Sequence, residues 1–382
     1  MLPLQGLTVV ALEQAVAAPF CSSRLADAGA NVIKIERPEG DFARAYDANV
    51  KGQSSYFVWL NRGKKSVVLD LAGPAGRQKL EALIAGADVF LQNLKPGAVE
   101  KLGFSRERLR RNYPRLICCS ISGYGDSGPY ANRKAYDLLI QAESGLASVT
   151  GGPESTASRV GISLVDIATG ATAQAAILEA LLARAASGAG ADIRISMFDV
   201  VADWMSVPLL STEGGRPPAR TGLAHPSIAP YGAFRSRDDK EILISIQSER
   251  EWKAFCKLVL DQPDLPGDPR FASMVARVAN RDATDKLVAE VFRVLTREAL
   301  IARLDAADIA YAEINTPHDL STHPHLRRIE VDSPGGRISM PAPAAIVIGE
   351  TRRYNAVPAL GAGSDTILAS KEDTKTPKPD TN

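Results

Sequence analysis

The sequence predicts an α/β fold: a parallel sheet with helices packed on both faces. Three observations carry that expectation. Short apolar runs alternate with helical stretches through the first third of the chain. Pro74 and Pro96 stand where first helical turns begin. The alternation continues past residue 160, with a long Ala-rich helix followed by another apolar run.

The elements follow in order. Leu7 to Leu12 is a strand, and Pro19 to Ala28 a small-residue helix closed by Gly29. Asn31 to Glu36, Ser66 to Leu71, Asp88 to Gln92 and Leu116 to Ile121 repeat the strand pattern, with helices near Pro74 to Ala85 and Pro96 to Leu102 between them. The long helix spans Ser163 to Ala186, and a strand follows over Ala191 to Met197. Thr212 to Pro230 is rich in Gly, Pro and small residues and reads as a linker or functional loop. Beyond it, Glu241 to Ile246 and helices near Glu249–Leu260, Ala283–Leu295 and Arg297–Ala306 form a second, smaller α/β unit. From about Val331 the chain has extended character, and the polar tail from residue 369 is expected to be disordered.

Composition narrows the function. The 382 residues carry 45 Lys+Arg against 44 Asp+Glu, a net charge of +1. Such balance argues against a nucleic-acid or anionic-membrane partner, which demands a basic excess. It leaves room for a local basic pocket around one anionic ligand. No secretory leader or apolar run of 18 residues is visible in the sequence, so the cytoplasm is the expected location. The four cysteines lack the spacing of a zinc site or a disulfide framework. His318, His323 and His325 are close in sequence but sit among prolines, without a helical pair, and read as a solvated turn.

A dinucleotide-binding turn would show G-x-G-x-x-G after the first strand. The residues there, Glu13 to Pro19, include no glycine. An acid, Glu36, ends the second strand, where an NAD-binding protein places its ribose ligand, but Arg37 follows it directly. Two other acids stand out: Asp137, in Lys134-Ala135-Tyr136-Asp137, and Asp166, in the first turn of the long helix. Ser163-x-x-Asp166 has the form of a capping box, a purely structural role. The same position also suits an ionised carboxylate that attacks a carbonyl, since a helix N-terminus favours the charged form.

Ordered motifs extend this reading. They are Leu25 to Glu36 (LADAGANVIKIE), Asn61 to Ser66 (NRGKKS), Asn93 with Pro96-Gly97, Ser122 to Gly125 with Gly128-Pro129, Tyr136-Asp137, Val165-Asp166 with Gly170, and His225 to Tyr231 (HPSIAPY). In these the chain resembles the family III CoA-transferases over residues 3 to 365. The family includes formyl-CoA transferase, carnitine CoA-transferase and the α-methylacyl-CoA racemases.

The resemblance implies a Rossmann-like large domain from residues 1–210 and 325–368, a linker and small α/β domain over 211–324, and an interlocked, ring-shaped homodimer. It implies that Asp166 is the nucleophile, forming first a mixed anhydride and then an aspartyl-CoA thioester. CoA and acyl-CoA enter as substrates, together with a small carboxylic acid, and no tightly bound cofactor is expected. Arg37, Lys101 and Lys134 are the implied phosphate contacts, with Gln14, Val16, Leu69, Leu71, Asn93 and Leu94 along the adenine and pantetheine path. Tyr136, Asp137, Gly214, Gly215 and His225 are assigned to the substrate site, Gly214-Gly215 as the nearest counterpart of a lid loop. Racemases of the family carry His where this chain has Tyr136, which ranks isomerisation below transfer, because an unperturbed phenol titrates near pH 10. The run around His225 looks closest to succinyl-CoA:glutarate-type enzymes. The expected acceptor is therefore a C4–C6 dicarboxylate, with succinyl-CoA as donor. An intramolecular CoA shift on a dicarboxyl-CoA such as mesaconyl-CoA, and a non-catalytic CoA-binding role, remain open alternatives.

Overall fold

The computed structural model describes residues 2–372. Its strands are β1 (Thr8–Leu12), β2 (Asn31–Glu36), β3 (Lys64–Val68), β4 (Val89–Gln92), β5 (Ile117–Ser122), β6 (Asp192–Ser196), β7 (Tyr231–Arg235), β8 (Glu241–Ser245), β9 (Ala310–Glu313), β10 (Arg328–Val331) and β11 (Ile338–Pro341). The helices begin with α1 (Ala17–Asp27), α2 (Ser55–Asn61), α3 (Pro74–Ala85), α4 (Ala98–Lys101), α5 (Arg106–Asn112) and α6 (Asp137–Glu143). They continue with α7 (Leu146–Val149), α8 (Leu164–Ser187), α9 (Met197–Trp204), α10 (Ser206–Glu213) and α11 (Glu249–Leu258). The last are α12 (Met274–Ala279), α13 (Arg281–Phe292), α14 (Arg297–Ala306), α15 (Pro317–Ser321) and α16 (Ser364–Glu372).

The chain forms two compact units. The first comprises residues up to Leu146, Val160–Ser206 and the chain from Arg327 onward; the second comprises Ala147–Arg159 and Val207–Leu326. The sequence pattern placed 147–159 with the large domain. The structure groups it with the second unit, where Gly222 N–H donates to Gly151 O and Arg220 donates to Ser148 O.

In the first unit six strands run parallel in the order β3-β2-β1-β4-β5-β6. Successive β1 residues point to opposite faces of the sheet. Val9 and Ala11 join one core with Leu25, Val165, Ala173 and Ile177. Val10 and Leu12 join the other with Leu80, Leu83, Ile84 and Val99. This double coverage explains why the strands read as continuous apolar runs. Among described helices, α8 alone has the length and hydropathy to cross a membrane, yet its apolar side is spent on the core it shares with α1.

Most elements shift by one to three residues at their ends, and two departures from the sequence reading have a clear physical cause. β3 starts at Lys64, not Ser66, because Lys64 is a fully buried strand residue paired with Glu13. A charged residue hides such a strand start from an apolar pattern. The C-terminal segment is not simply extended. It forms the β10–β11 hairpin, whose Val331, Ile338 and Met340 pack with Phe57 and Val58 of α2, and then helix α16. That helix runs through residues 369–372, where a disordered tail was expected; residues 373–382 of that expectation lie outside the described residues.

The second unit holds an antiparallel sheet, β7-β8-β9, around a core of Trp252, Phe255, Val288, Phe292, Leu300 and Leu304.

Candidate active site

The first-unit sheet reverses its winding direction between β1 and β4. In such sheets ligands bind beyond the carboxyl ends of the strands at that switch point. The chain there is held tightly. Asn93, just after β4, accepts a hydrogen bond from Gln14 N–H through Oδ1 at 2.9 Å and donates Nδ2 to Gln14 O at 2.9 Å. Val16, the next residue but one, caps α1 and is buried.

The other sequence-assigned binding residues follow neighbouring strands on the same edge. Arg37 comes directly after β2, Leu69 and Leu71 after β3, Leu94 after β4, and Lys134 on the segment between β5 and α6. Arg37 and Lys134 are exposed, with the Arg37 Nε donating to Gly40 O at 2.9 Å. Lys101 is exposed at the end of the short α4, which follows β4. The Asn93 amide thus builds the turn through one N–H and its oxygen, and its second N–H is left over for a ligand. Glu36 is likewise committed inside the fold: it accepts from Arg44, Ser66 Oγ and Asp41 N–H, and its carboxyl is lowered to about 2 despite burial.

Asp166 occupies the third position of α8, but the capping box does not form. Ser163 makes no side-chain cap. The cap comes from Asp137 instead, whose Oδ1 accepts Val165 N–H at 2.8 Å and Asp166 N–H at 3.2 Å. Gln141 Nε2 holds the other Asp137 oxygen at 2.7 Å, and Gln141 Oε1 accepts Val160 N–H at 2.9 Å. A second carboxylate thus takes the helix-end donors, and Asp166 is spared that structural task. The helix end was expected to keep Asp166 well ionised. Instead burial, and then the Asp137 charge beside it, push its carboxyl up to about 7.

Gly170, one turn further along α8, sets how closely that helix meets α1. A Cβ there would lie 2.4 Å from Ala17 O and 2.9 Å from Phe20 Cβ. The first turn of α8 is thereby drawn toward the start of α1 and the Gln14–Val16 turn. Tyr46 was missed in the sequence. Tyr46 is 47% exposed, and its phenol is pushed up to about 12, first by partial desolvation and then by the nearby Asp41 and Asp166 carboxylates. It stacks edge-on to Tyr56, which in turn meets Trp59. The only sequence signal was the aromatic recurrence at Phe42, Tyr46, Tyr56 and Trp59. Tyr136 is 61% exposed and precedes α6.

Gly214, Gly215 and His225 belong to the second unit. Gly214 N–H donates to Leu210 O, and Gly215 follows with φ of 78°, the left-handed geometry that ends a helix. The glycine pair therefore terminates α10, a local reason for glycine that needs no lid. His225 stacks on Tyr231 at 5.3 Å, and its Nδ1 accepts Ser227 N–H. Arg281 donates to His225 O and Ile228 O, and the buried Arg277 donates to Ala229 O. Both arginines fix this loop, and neither was singled out from sequence.

The perturbed carboxyl gives a measurable signature. If ionised Asp166 attacks a substrate, kcat/KM should fall on the acid side with a midpoint near pH 7. Asp137→Asn removes the like charge, and the midpoint should move to lower pH. A limb unmoved by that change would detach it from Asp166.

Comparison with known proteins gives the same grouping throughout. The family described as CoA-transferase family III matches residues 4–364. An acetyl-CoA:oxalate CoA-transferase of Acetobacter aceti is 40% identical over 74% of this chain and 72% of its own length. A succinate–glutarate CoA-transferase of Agrobacterium fabrum is 31% identical over 97% of this chain and 96% of its own. A crystal structure of a CAIB/BAIF family protein from Brucella suis superposes with a TM-score of 0.82 at 33% identity, covering 97% of this chain and 99% of that one.

Proposed function

The chain belongs to CoA-transferase family III, and from that premise we propose that it moves CoA from an acyl-CoA to a dicarboxylic acid with Asp166 as the covalent nucleophile. The observation that carries this reading is the division of labour between two carboxylates: Asp137 caps α8, and the Asp166 side chain is left for chemistry with its carboxyl near 7.

The steps balance without an added cofactor. Ionised Asp166 attacks the thioester carbonyl of the donor, the C–S bond breaks, and CoA thiolate leaves a mixed anhydride on the enzyme. The thiolate attacks the aspartyl carbonyl, releasing the donor acid and forming the aspartyl-CoA thioester. The acceptor carboxylate attacks that thioester, giving a second anhydride and CoA thiolate. The thiolate then takes the acyl group, and Asp166 is regenerated as carboxylate. Water must be kept from both anhydrides. A carboxyl near 7 suits this cycle, being more basic than an ordinary aspartate yet substantially ionised at neutral pH.

In this reading Arg37, Lys101 and Lys134 meet the CoA phosphates, the Gln14–Val16 turn with Leu69, Leu71 and Leu94 borders the nucleotide and pantetheine, and Tyr136 shapes the acyl end. The protein acts as an interlocked homodimer in the cytoplasm, a setting that suits its four free cysteines. Tyr136 in place of the racemase histidine favours transfer over isomerisation.

For the acceptor, the full-length match to a succinate–glutarate enzyme supports a C4–C6 diacid with succinyl-CoA as donor. The 40% identity to an acetyl-CoA:oxalate enzyme favours a second reading, a C2 diacid. Val16 weighs against oxalate chemistry, because the resemblance to formyl-CoA transferase places a glutamine there. A panel of acyl-CoA donors with oxalate, succinate, glutarate and matched monocarboxylates decides between them. Dicarboxylates should be preferred. Turnover confined to monocarboxylates would reject both readings.

A further inference from the structure

Behind the Gln14–Val16 turn lies a cluster of charged side chains inside the fold. The Lys34 ammonium on β2 is fully buried and donates to Asp41 Oδ2 at 2.8 Å and to Glu13 Oε1 at 3.4 Å. Lys64 on β3, also fully buried, donates to Glu13 Oε1 at 2.7 Å and to Pro19 O at 3.0 Å. Asp41 N–H donates to Glu36 Oε2, and Arg44 pairs with Glu36. Three cations, Lys34, Lys64 and Arg44, face three carboxylates, Glu13, Glu36 and Asp41. Well-packed apolar side chains of similar volume often stabilise a fold as well as such a cluster does or better, so its presence asks for a further role.

That role is visible at Ala15. Its φ is 61°, in the left-handed region that L-residues with a Cβ rarely enter. Its N–H donates to Asp41 Oδ1 at 3.2 Å, and the same oxygen accepts Ala43 N–H at 2.9 Å. On the other side, Gln14 N–H and C=O are both taken by Asn93. The turn is therefore clamped from the β4 side by Asn93 and from the β2 side by Asp41, with Lys34 fixing the Asp41 carboxylate.

We propose that Asp41, anchored on Lys34, is a positioning residue for CoA transfer: it holds Ala15 in its left-handed conformation and so presents Gln14 and Val16 to the acyl-CoA. This rests on the assignment of that turn to the CoA path. Asp41 touches no reacting atom, so its effect falls on substrate binding more than on the chemical step. Asparagine at position 41 cannot do the same work. The Lys34 ammonium keeps the amide oxygen, and the amide NH2 is then turned against the N–H groups of Ala15 and Ala43.

The test compares Asp41→Asn with the parent enzyme in KM for acyl-CoA, kcat and CoA affinity by calorimetry. KM should rise about tenfold or more with kcat within about threefold, the pattern of lost binding rather than lost chemistry. Ala15→Gly in the Asp41→Asn background should restore KM to within about threefold, since glycine enters positive φ without strain. A purely structural role would lower thermal stability and leave KM alone. A folded Asp41→Asn enzyme with the parent KM, or a double variant with no recovery, overturns the proposal. Should Asp41→Asn not fold, amide hydrogen exchange on the parent protein still decides: the Ala15 N–H should be protected far beyond an open loop, and loop-rate exchange there overturns the clamp. The exchange readout needs no turnover, so it stands even if the CoA-transfer reading itself fails through lack of activity with every acyl-CoA.

Discussion

Asp166→Asn should lower turnover by at least about 10⁴-fold while leaving CoA affinity within a few-fold of the parent, because the covalent steps vanish and the strand-end binding groups stay in place. The same variant should be more stable than the parent at neutral and alkaline pH. The sign follows from the raised carboxyl. An unfolded aspartate ionises near pH 3.8, whereas folded Asp166 ionises near 7, so the folded state loses stability progressively as pH rises between those values. At about 1.4 kcal/mol per pH unit the full loss is bounded near 4 kcal/mol, and the partial exposure of the side chain makes the real value smaller. Denaturant melts of parent and variant should coincide below about pH 4, separate between about pH 4 and 7, and stay apart above that in favour of Asp166→Asn. A variant that is inactive and also less stable at pH 8 would show that the buried charge is not the source of strain. Measurable turnover in Asp166→Asn at more than one part in a thousand would remove Asp166 as nucleophile.

Gly170→Ala should produce the second large effect, although it adds one methyl group. The new Cβ would stand 2.4 Å from the Ala17 carbonyl oxygen and within 3.1 Å of two Phe20 atoms. The oxygen belongs to helix backbone and cannot swing aside, so α8 must shift away from α1. Overpacking of this kind costs about 1–3 kcal/mol. Because Asp166 lies one turn away on α8, the shift moves the nucleophile relative to the Gln14–Val16 turn. Misplacement on the order of 1 Å lowers rate by about 10²-fold, so kcat should fall by roughly 10–100-fold in a protein that remains folded. Crystallography of the variant should show the displacement. Parent-like kcat with reduced stability would mean that the α1–α8 spacing supports the fold but not the chemistry.

How far these features were legible in the chain depends on whether they are local. The parallel sheet was, because each strand is an apolar run that needs no partner to be recognised, and Asn31–Glu36 and Pro74–Ala85 match the structure to the residue. The position of Asp166 in a first helical turn was equally visible. Its environment was not. Ser163-x-x-Asp166 satisfies the local pattern of a capping box, but Asp137, 29 residues earlier, takes the helix end first. A cap supplied from another element leaves no signature at the helix it caps. Ala15 is the same case in backbone form: nothing in Glu13-Gln14-Ala15-Val16 announces a left-handed residue, because the reason is carried by Asp41 and Asn93. Buried Lys34 and Lys64 read as surface charges until their partners are known. Helix α16 escaped because, among its described side chains, Ile367 and Leu368 supply the inward apolar contacts, too few for a periodic signal.

The most direct test of the account is to trap the enzyme-bound intermediate. The protein is incubated with acyl-CoA, quenched with hydroxylamine or borohydride, digested and mapped by mass spectrometry. The modification should fall on the peptide containing Asp166, appear only when acyl-CoA is present, and be absent from Asp166→Asn. A label on Asp137 or any other carboxylate, or none under conditions of active turnover, would contradict covalent catalysis by Asp166.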